Sequence, residues 1–238
     1  AFGMTKRPGV SLSNDPGVAA LLAAPVDAVT FVAKSWDYHV DVALKTTLED
    51  NLDCIRQSVE AAVKAGREAI VDCEHFFDGF KANPDYALAC AKTAFEAGAR
   101  WIVLCDTNGG SMPHEVAEIV LAVTKTVPGD RLGIHAHDDT GQAVANSLAA
   151  IRAGVRQVQG TLNGIGERCG NANLTTILPT LVLKDEYASR YDTGVTAEQL
   201  KTLTQVSRAF DEIINRAPNR HAPYVGLSAF ATKAGIHA

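Results

Sequence analysis

The chain is organised around the stretch Leu132-Gly133-Ile134-His135-Ala136-His137-Asp138-Asp139. Its first residues are apolar and predict a short strand, and two histidines stand two residues apart at the end of that strand. Because side chains alternate between the two faces of a strand, His135 and His137 are expected to point the same way. Two convergent imidazoles indicate a divalent metal site, and the alternative is a pair of polar residues on a solvated edge strand.

Strands of the same kind recur along the chain, each followed by a loop and a helix. They are predicted at residues 29–33, 69–73, 101–105 and 155–160, with a strand end at 1–3. Repeated strand-helix units predict a parallel sheet covered by helices. Polar residues follow strand after strand, which favours a (β/α)8 barrel over a doubly wound sheet with one switch point.

The strand count falls short of the eight that close such a barrel. We therefore expect an α/β protein whose residues 1–185 form a (β/α)8 TIM barrel that lacks its first strands in this chain. After residue 185 the sequence becomes polar, and residues 186–238 are expected to be a linker and the start of a helical accessory region. Thr196 and Gln199 form a capping box there, before one amphipathic helix to about Asn215.

Capping residues mark two further helix starts. Thr46 and Glu49 form a capping box before apolar residues at spacings of three and four, and Gly66 ends that helix. Asn83 and Pro84 open the next helix as its cap and its first residue.

The composition is that of an ordinary globular protein, with 47% hydrophobic residues, 21% charged residues and a net charge of −5. We expect no nucleic-acid partner, because no basic run is present, and no membrane partner, because no apolar run approaches about 20 residues. No signal peptide is evident. The five cysteines are odd in number and include no CxxC pair, which favours free thiols in a cytoplasmic protein.

Candidate site residues also come from the ends of other strands. Glu74, among His and Phe residues, is either an acid-base carboxylate with a raised pKa or a carboxylate in a salt bridge. Thr107 either binds an anionic substrate or caps a turn. Asn171 and Asp139 offer oxygen atoms to a metal or to its ligands. His237, by itself, is more typical of a surface histidine.

Longer motifs surround these candidates. One set comprises Gly133–Asp139, Gln159–Thr161 and Gly166–Ala172. This set resembles the metal-dependent acyl-CoA-condensing barrel family of isopropylmalate, homocitrate and citramalate synthases, with the related hydroxymethylglutaryl-CoA lyases. A second set brings the chain nearest to the citramalate synthase branch, and comprises Ala1–Gly3, Lys34–Asp37, Asp72–Gly79, Leu104–Gly110 and Pro223–Gly226.

The resemblance implies a Claisen-type condensation of acetyl-CoA with a 2-keto acid and hydrolysis of the new thioester. In the citramalate branch the keto acid is pyruvate and the product feeds isoleucine biosynthesis. The resemblance implies that His135, His137 and Asn171 bind a divalent metal, which is Mn, Mg or Zn. It also implies that Glu74 and Thr107 line the substrate pocket and that His237 assists proton abstraction, and we expect the protein to be a homodimer.

Some features depart from the family pattern. The family's first strand carries an Arg-Asp pair whose Asp binds the metal, and this pair has no counterpart in the chain. Asp138 and Thr232 stand where relatives usually have Asn and His. We therefore expect this polypeptide to bind metal weakly and to have little condensing activity.

Other functions remain open at this stage. An isopropylmalate or homocitrate synthase would use a larger keto acid. A lyase would use a cysteine in the glycine-rich loop, where Cys169 stands, although the surrounding GERCGNA sequence is that of the condensing branch. A non-catalytic barrel is the alternative outside enzymology.

Overall fold

The structure, a computed structural model, describes residues 1–232. The chain divides into two compact units, the first comprising Ala1–Gln159 and the second beginning at Gly160. The predicted boundary at residue 185, which separates a barrel from an accessory region, stays a prediction.

Six parallel strands form the sheet of the first unit. They are β1 (Phe2–Met4), β2 (Ala28–Lys34), β3 (Glu68–Glu74), β4 (Trp101–Asp106), β5 (Leu132–Ala136) and β6 (Gln157–Gln159). The strands lie side by side in chain order. Because a doubly wound sheet reverses its strand order at a switch point, this sequential order agrees with the predicted barrel topology.

Helices connect successive strands of the first unit. They are α1 (Pro16–Ala23), α2 (Asp37–His39), which continues as a π-helix (Val40–Leu44), α3 (Leu48–Lys64), α4 (Phe76–Ala82), α5 (Pro84–Glu96), α6 (Pro113–Val123) and α7 (Ala143–Ala153), with 3-10 turns at Leu12–Asn14 and Gly129–Arg131. The second unit contains a 3-10 turn (Leu162–Gly164), α8 (Leu174–Leu183), α9 (Asp185–Ala188), α10 (Ala197–Leu200) and α11 (Leu203–Ile213). None of the helices within residues 1–232 has the length and apolarity that a membrane crossing requires.

One face of the sheet forms the core with the helices. Val29, Phe31 and Ala33 alternate along β2 and are fully buried, and α3, which buries Ile55 and Val59, lies against β2 and β3. The residues between them on β2 are half-buried and point to the opposite, inner face. The hydrophobic effect therefore favours packing of one face against the helices, while polar side chains such as Lys34 and Glu74 lie at the strand ends of the inner face.

Two predicted helix details are wrong. The N-cap of α3 is Thr47, whose side chain accepts from the Asp50 N–H at 3.1 Å, whereas the Thr46 hydroxyl donates to the Asp50 carboxylate. Thr47 is the residue with the extended backbone that a cap requires, and adjacent threonines look alike in sequence. The amphipathic helix after Thr196 is interrupted, because α10 ends at Leu200 before α11 begins, although its capping box is confirmed.

Candidate active site

A row of side chains crosses the inner face near the carboxyl ends of the strands. In the parallel register Lys34 pairs with Glu74, Cys105 with His135, and His135 with Gln159. Continuing the register between β3 and β4 brings Glu74 alongside Cys105. Paired residues on parallel strands point to the same face, so β2 to β6 each contribute one member of this inner row.

The inner face is concave. Gln159 Nε2 on β6 donates to Asp72 Oδ1 on β3 at 2.9 Å, although β4 and β5 lie between these strands. In a flat sheet, strands three positions apart would be about 14 Å apart. The hydrogen bond is possible only because the sheet curves, which converts separate strand ends into one site.

His135 and His137 lie side by side, as predicted. Their ring centroids are 5.2 Å apart with the planes at 46°. His137 is buried, although it directly follows β5 and is not part of it. His135 Nδ1 lies 2.8 Å from Gln159 Oε1, so Nε2 is the ring nitrogen through which His135 would bind a metal.

This pair of donors fits a divalent metal, since imidazole nitrogen suits ions of the zinc and manganese class. Within residues 1–232, no three His, Cys, Asp or Glu side chains come together as a metal-binding group. The two histidines would therefore need further ligands, and the predicted contribution of Asn171 stays a prediction.

Glu74 forms an ion pair with Lys34, a partner that the sequence does not predict. Their side chains are 26% and 17% exposed. Of the two interpretations left open, the structure agrees with the carboxylate in a salt bridge. The Ser35 hydroxyl also donates to the backbone oxygen of Glu74 at 2.7 Å. The catalytic role of Glu74 stays a prediction.

Thr107 is tied to the residue after Glu74. The backbone N–H of His75 donates to Thr107 Oγ1 at 2.9 Å, so the hydroxyl supports the turn that enters α4. His75 has a left-handed backbone, with φ of 53°, and its Nδ1 lies 3.3 Å from Asp78 Oδ2. The hydrogen bond from His75 lowers the pKa of Asp78, to which Asn108 also donates.

The side chains of two further acidic residues near the strand ends, Asp72 and Asp106, point to opposite faces of the sheet. Burial raises the pKa of Asp72, against which the Gln159 hydrogen bond and the nearby His135 act. Asp106 points to the helix side, where it accepts from the Ser111 hydroxyl and the Asn146 amide. Asp106 therefore connects elements on the helix side and does not belong to the inner row, although it also stands at the end of a strand, like Glu74.

Cys105 occupies the middle of the inner row. Burial raises the pKa of its thiol well above the usual value, and the neighbouring Asp72 acts in the same direction. The thiol stays protonated at neutral pH and is a poor nucleophile. Cys54, Cys73 and Cys90 are buried as well, and Cys169 is exposed.

Asn171 belongs to the second unit and is buried there. Its N–H donates to the Gly164 oxygen at 3.1 Å. A Cβ at Gly166 would stand 1.8 Å from Asn171 Oδ1, so only glycine permits this approach. Asp139 lies in the turn after β5, and the predicted residue His237 lies outside the described residues.

Comparison with protein families places these observations in a known group. The HMGL-like family matches residues 10–207. An (R)-citramalate synthase from Aquifex aeolicus is 52% identical, and one from Synechocystis 49% identical, over the whole of this chain. A 2-isopropylmalate synthase from Solidesulfovibrio magneticus is 36% identical over 87% of the chain. The chain spans 44% of each citramalate synthase and 40% of the isopropylmalate synthase, which is less than half of their length.

Among solved structures, HMG-CoA lyase from Bacillus subtilis is similar in fold. The TM-score is 0.73 and the identity 19%, and the match covers 92% of this chain and 72% of the lyase. Identity at this level concerns the fold alone, and it confirms the predicted TIM-barrel class.

Proposed function

This chain belongs to the HMGL-like family, and from that premise we propose that it is part of an acyltransferase that condenses acetyl-CoA with pyruvate. The product would be citramalate, a precursor in the biosynthesis of isoleucine, a branched-chain amino acid. The observation that carries this proposal is the sequence identity of 52% and 49% to two (R)-citramalate synthases, in alignments that cover the whole chain.

We propose that His135 and His137, with Asn171, hold a divalent cation, which is Mn, Mg or Zn. The support is the side-by-side placement of the two rings and the engagement of His135 Nδ1 by Gln159. When bound, such an ion supplies Lewis acidity to the carbonyl of a keto acid.

The remaining chemistry would depend on proton transfer by the protein. Glu74 is our candidate for the group that accepts a proton from the acetyl methyl, with His237 assisting. The ion pair with Lys34 holds the Glu74 carboxylate at the carboxyl end of the sheet, where a general base would act. Thr107, held at the end of β4 by the His75 N–H, would bind the carboxylate of the keto acid.

In the proposed reaction, the methyl carbon of acetyl-CoA loses a proton to the base, and the enolate carbon then forms a bond to the keto carbon of pyruvate. The former keto oxygen gains a proton and becomes the hydroxyl of the product. Water cleaves the thioester, which releases the CoA thiol and forms the second carboxylate of citramalate.

We further propose that the protein works in the cytoplasm as a homodimer. The support for a reducing compartment is that all five cysteines are free, four of them buried. Light scattering of the full-length protein after size exclusion measures the dimer directly.

The substrate test is a thiol-release assay on the full-length protein with acetyl-CoA and Mn²⁺ or Mg²⁺. Pyruvate is expected to give higher kcat/KM than 2-ketoisovalerate or 2-oxoglutarate, and a chelator is expected to abolish release. Preference for 2-ketoisovalerate would replace the proposal with isopropylmalate synthesis, and preference for 2-oxoglutarate with homocitrate synthesis. Cleavage of hydroxymethylglutaryl-CoA without condensation would indicate a lyase, and no reaction with any substrate would favour a non-catalytic barrel.

A further inference from the structure

We propose that Gln159 is a positioning residue that holds His135 in one tautomer, and that Asp72 sets the orientation of the Gln159 amide. The inference deepens the proposed metal site and rests on the proposed function for what His135 binds. The hydrogen-bonding arrangement itself stands on the geometry of the first unit.

The Gln159 amide bridges two groups on different strands. Its Nε2 donates to Asp72 Oδ1 at 2.9 Å, and its Oε1 lies 2.8 Å from His135 Nδ1. His135 is the neighbour of Gln159 in the β5–β6 register, whereas Asp72 is reached across the concave face from β3. Both polar ends of the amide are thus used.

The donor at each contact follows from the chemistry of the three groups. An ionised carboxylate accepts hydrogen bonds and cannot donate them, so Asp72 selects the NH₂ end of the amide. The amide oxygen is then directed at His135, and because that oxygen also only accepts, His135 Nδ1 must carry a hydrogen. Asp72 therefore sets the tautomer of the His135 ring through the orientation of the Gln159 amide.

The consequence for His135 is that its lone pair lies on Nε2. A neutral imidazole has one protonated nitrogen and one acceptor nitrogen, and only the latter can bind a metal. Without Gln159, the tautomer with the hydrogen on Nε2 becomes accessible, and that tautomer presents no lone pair from Nε2. The bridge thus also restrains the rotation of the ring about its long axis.

The variants that test this bridge separate its two contacts. Gln159→Met removes both hydrogen bonds at nearly constant volume, and Asp72→Asn keeps the shape but allows the Gln159 amide either orientation. Gln57→Met is the matched control, because the Gln57 amide also donates to a carboxylate, that of Asp53, but on the helix α3. All variants are made in the full-length protein.

Two measurements are made on each variant. Nitrogen NMR of histidine-labelled, metal-free protein reports the His135 tautomer, and calorimetry with Mn²⁺ reports metal affinity. We expect the Nδ1–H tautomer in the unmodified protein and in Gln57→Met, and a mixture in Gln159→Met and Asp72→Asn. Mn²⁺ affinity is expected to fall about 10- to 100-fold in Gln159→Met and to stay unchanged in Gln57→Met.

The outcomes distinguish this inference from the proposed function. An unchanged tautomer and unchanged Mn²⁺ affinity in Gln159→Met would overturn the inference while the metal site survives. If the unmodified protein binds no Mn²⁺, Mg²⁺ or Zn²⁺ but its His135 tautomer is lost in Gln159→Met, the bridge is correct and the proposed function fails. If Gln159→Met does not fold, the tautomer in Asp72→Asn decides.

Discussion

At the scale of single residues, Glu74 shows that the residue that pairs with a carboxylate in the folded protein can be distant from it in the sequence. The residues after Glu74 are aromatic, but Phe76 and Phe77 are fully buried in α4. The charge partner of Glu74 is Lys34, which lies 40 residues earlier on the adjacent strand. The environment of the carboxylate is therefore set by the pairing of β2 with β3.

The ion pair leads to a prediction about stability. Lys34→Met is expected to lower the free energy of unfolding by about 1–2 kcal/mol. This value lies between the cost of breaking an exposed ion pair and that of breaking a buried one, because Glu74 is only partly exposed. Urea denaturation measures the change. Lys92→Met, which breaks the exposed pair with Glu96, is the control and should cost less than about 0.5 kcal/mol. Equal costs would show that the inner pair contributes no more than a surface pair.

The proposed base leads to a prediction about activity. Glu74→Gln preserves the shape of the side chain but removes the proton acceptor, so kcat for thiol release is expected to fall at least about 100-fold. Steady-state assays of the full-length protein measure this, with circular dichroism to verify folding. Glu96→Gln, on the outer helix α5, should retain full activity. A Glu74→Gln variant with normal kcat would remove Glu74 from the catalytic step.

At the scale of elements, α3 and α4 differ in how visible they are in the sequence. The helix α3 has a long apolar repeat and a threonine cap. The helix α4 is only seven residues long, contains Gly79 and follows a residue with a left-handed backbone, His75. A short helix shows little hydrophobic periodicity, so the sequence does not predict α4.

The cap of α3 can be tested with two adjacent substitutions. Thr47→Ala removes the acceptor for the Asp50 N–H and should cost about 1 kcal/mol of unfolding free energy. Thr46→Ala removes a contact to the Asp50 carboxylate and should cost about 0.5 kcal/mol. Thermal and urea denaturation rank the two variants. The reverse order would restore the capping box that the sequence suggested.

The position of α4 depends on a missing side chain at Gly79. A Cβ there would stand 2.6 Å from the backbone oxygen of Ser35, which immediately follows β2. Gly79→Ala is therefore expected to destabilise the protein by about 1–3 kcal/mol, because backbone atoms must move. Denaturation of Gly110→Ala provides the comparison, since a Cβ at Gly110 meets open space. No difference between the two alanine variants would contradict the close approach of α4 to Ser35.

At the scale of the first unit as a whole, the sheet sorts acidic groups between its faces. Asp72 belongs to the concave inner face and Asp106 to the helix side. Both are buried, and burial raises the pKa of each. On the helix side, the Asp106 carboxylate is stabilised by hydrogen bonds from Ser111 and Asn146 and by the charge of Lys81.

Asp106 predicts a pH dependence of folding. Burial raises its pKa above the ordinary value of 3.8, and the Ser111 hydrogen bonds oppose this only in part. The folded state therefore binds more protons than the unfolded state between the ordinary and the raised pKa, and the contribution of Asp106 to stability increases as pH falls through this window. Above the raised pKa, Asp106 is ionised in the folded state, and the full desolvation penalty of its buried charge reduces the free energy of unfolding.

The measurement is urea denaturation of the unmodified protein and of Asp106→Asn between about pH 7 and about pH 4. Asn cannot titrate, so the difference in unfolding free energy should shift in favour of the unmodified protein as the pH falls. Other carboxylates cancel in this difference. A difference that is constant with pH would show that Asp106 has the same pKa in both states.

The sequence by itself determined the features that depend on local periodicity and on motif chemistry. Alternating and helical hydrophobic patterns predicted the strands and the longer helices, because burial of apolar residues dictates those periods. The spacing of His135 and His137 predicted that their rings would lie together, since a strand has a period of two. The motifs around them were sufficient to identify the family.

Only the tertiary structure decided which polar groups meet. The partners Lys34 and Glu74, and the bridge from Gln159 to Asp72 over 87 residues of sequence, depend on strand register and on the curvature of the sheet. Neither property is encoded in a local window, because both arise from the packing of whole strands and helices. For the same reason, the sequence could not separate Asp72 on the inner face from Asp106 on the helix side.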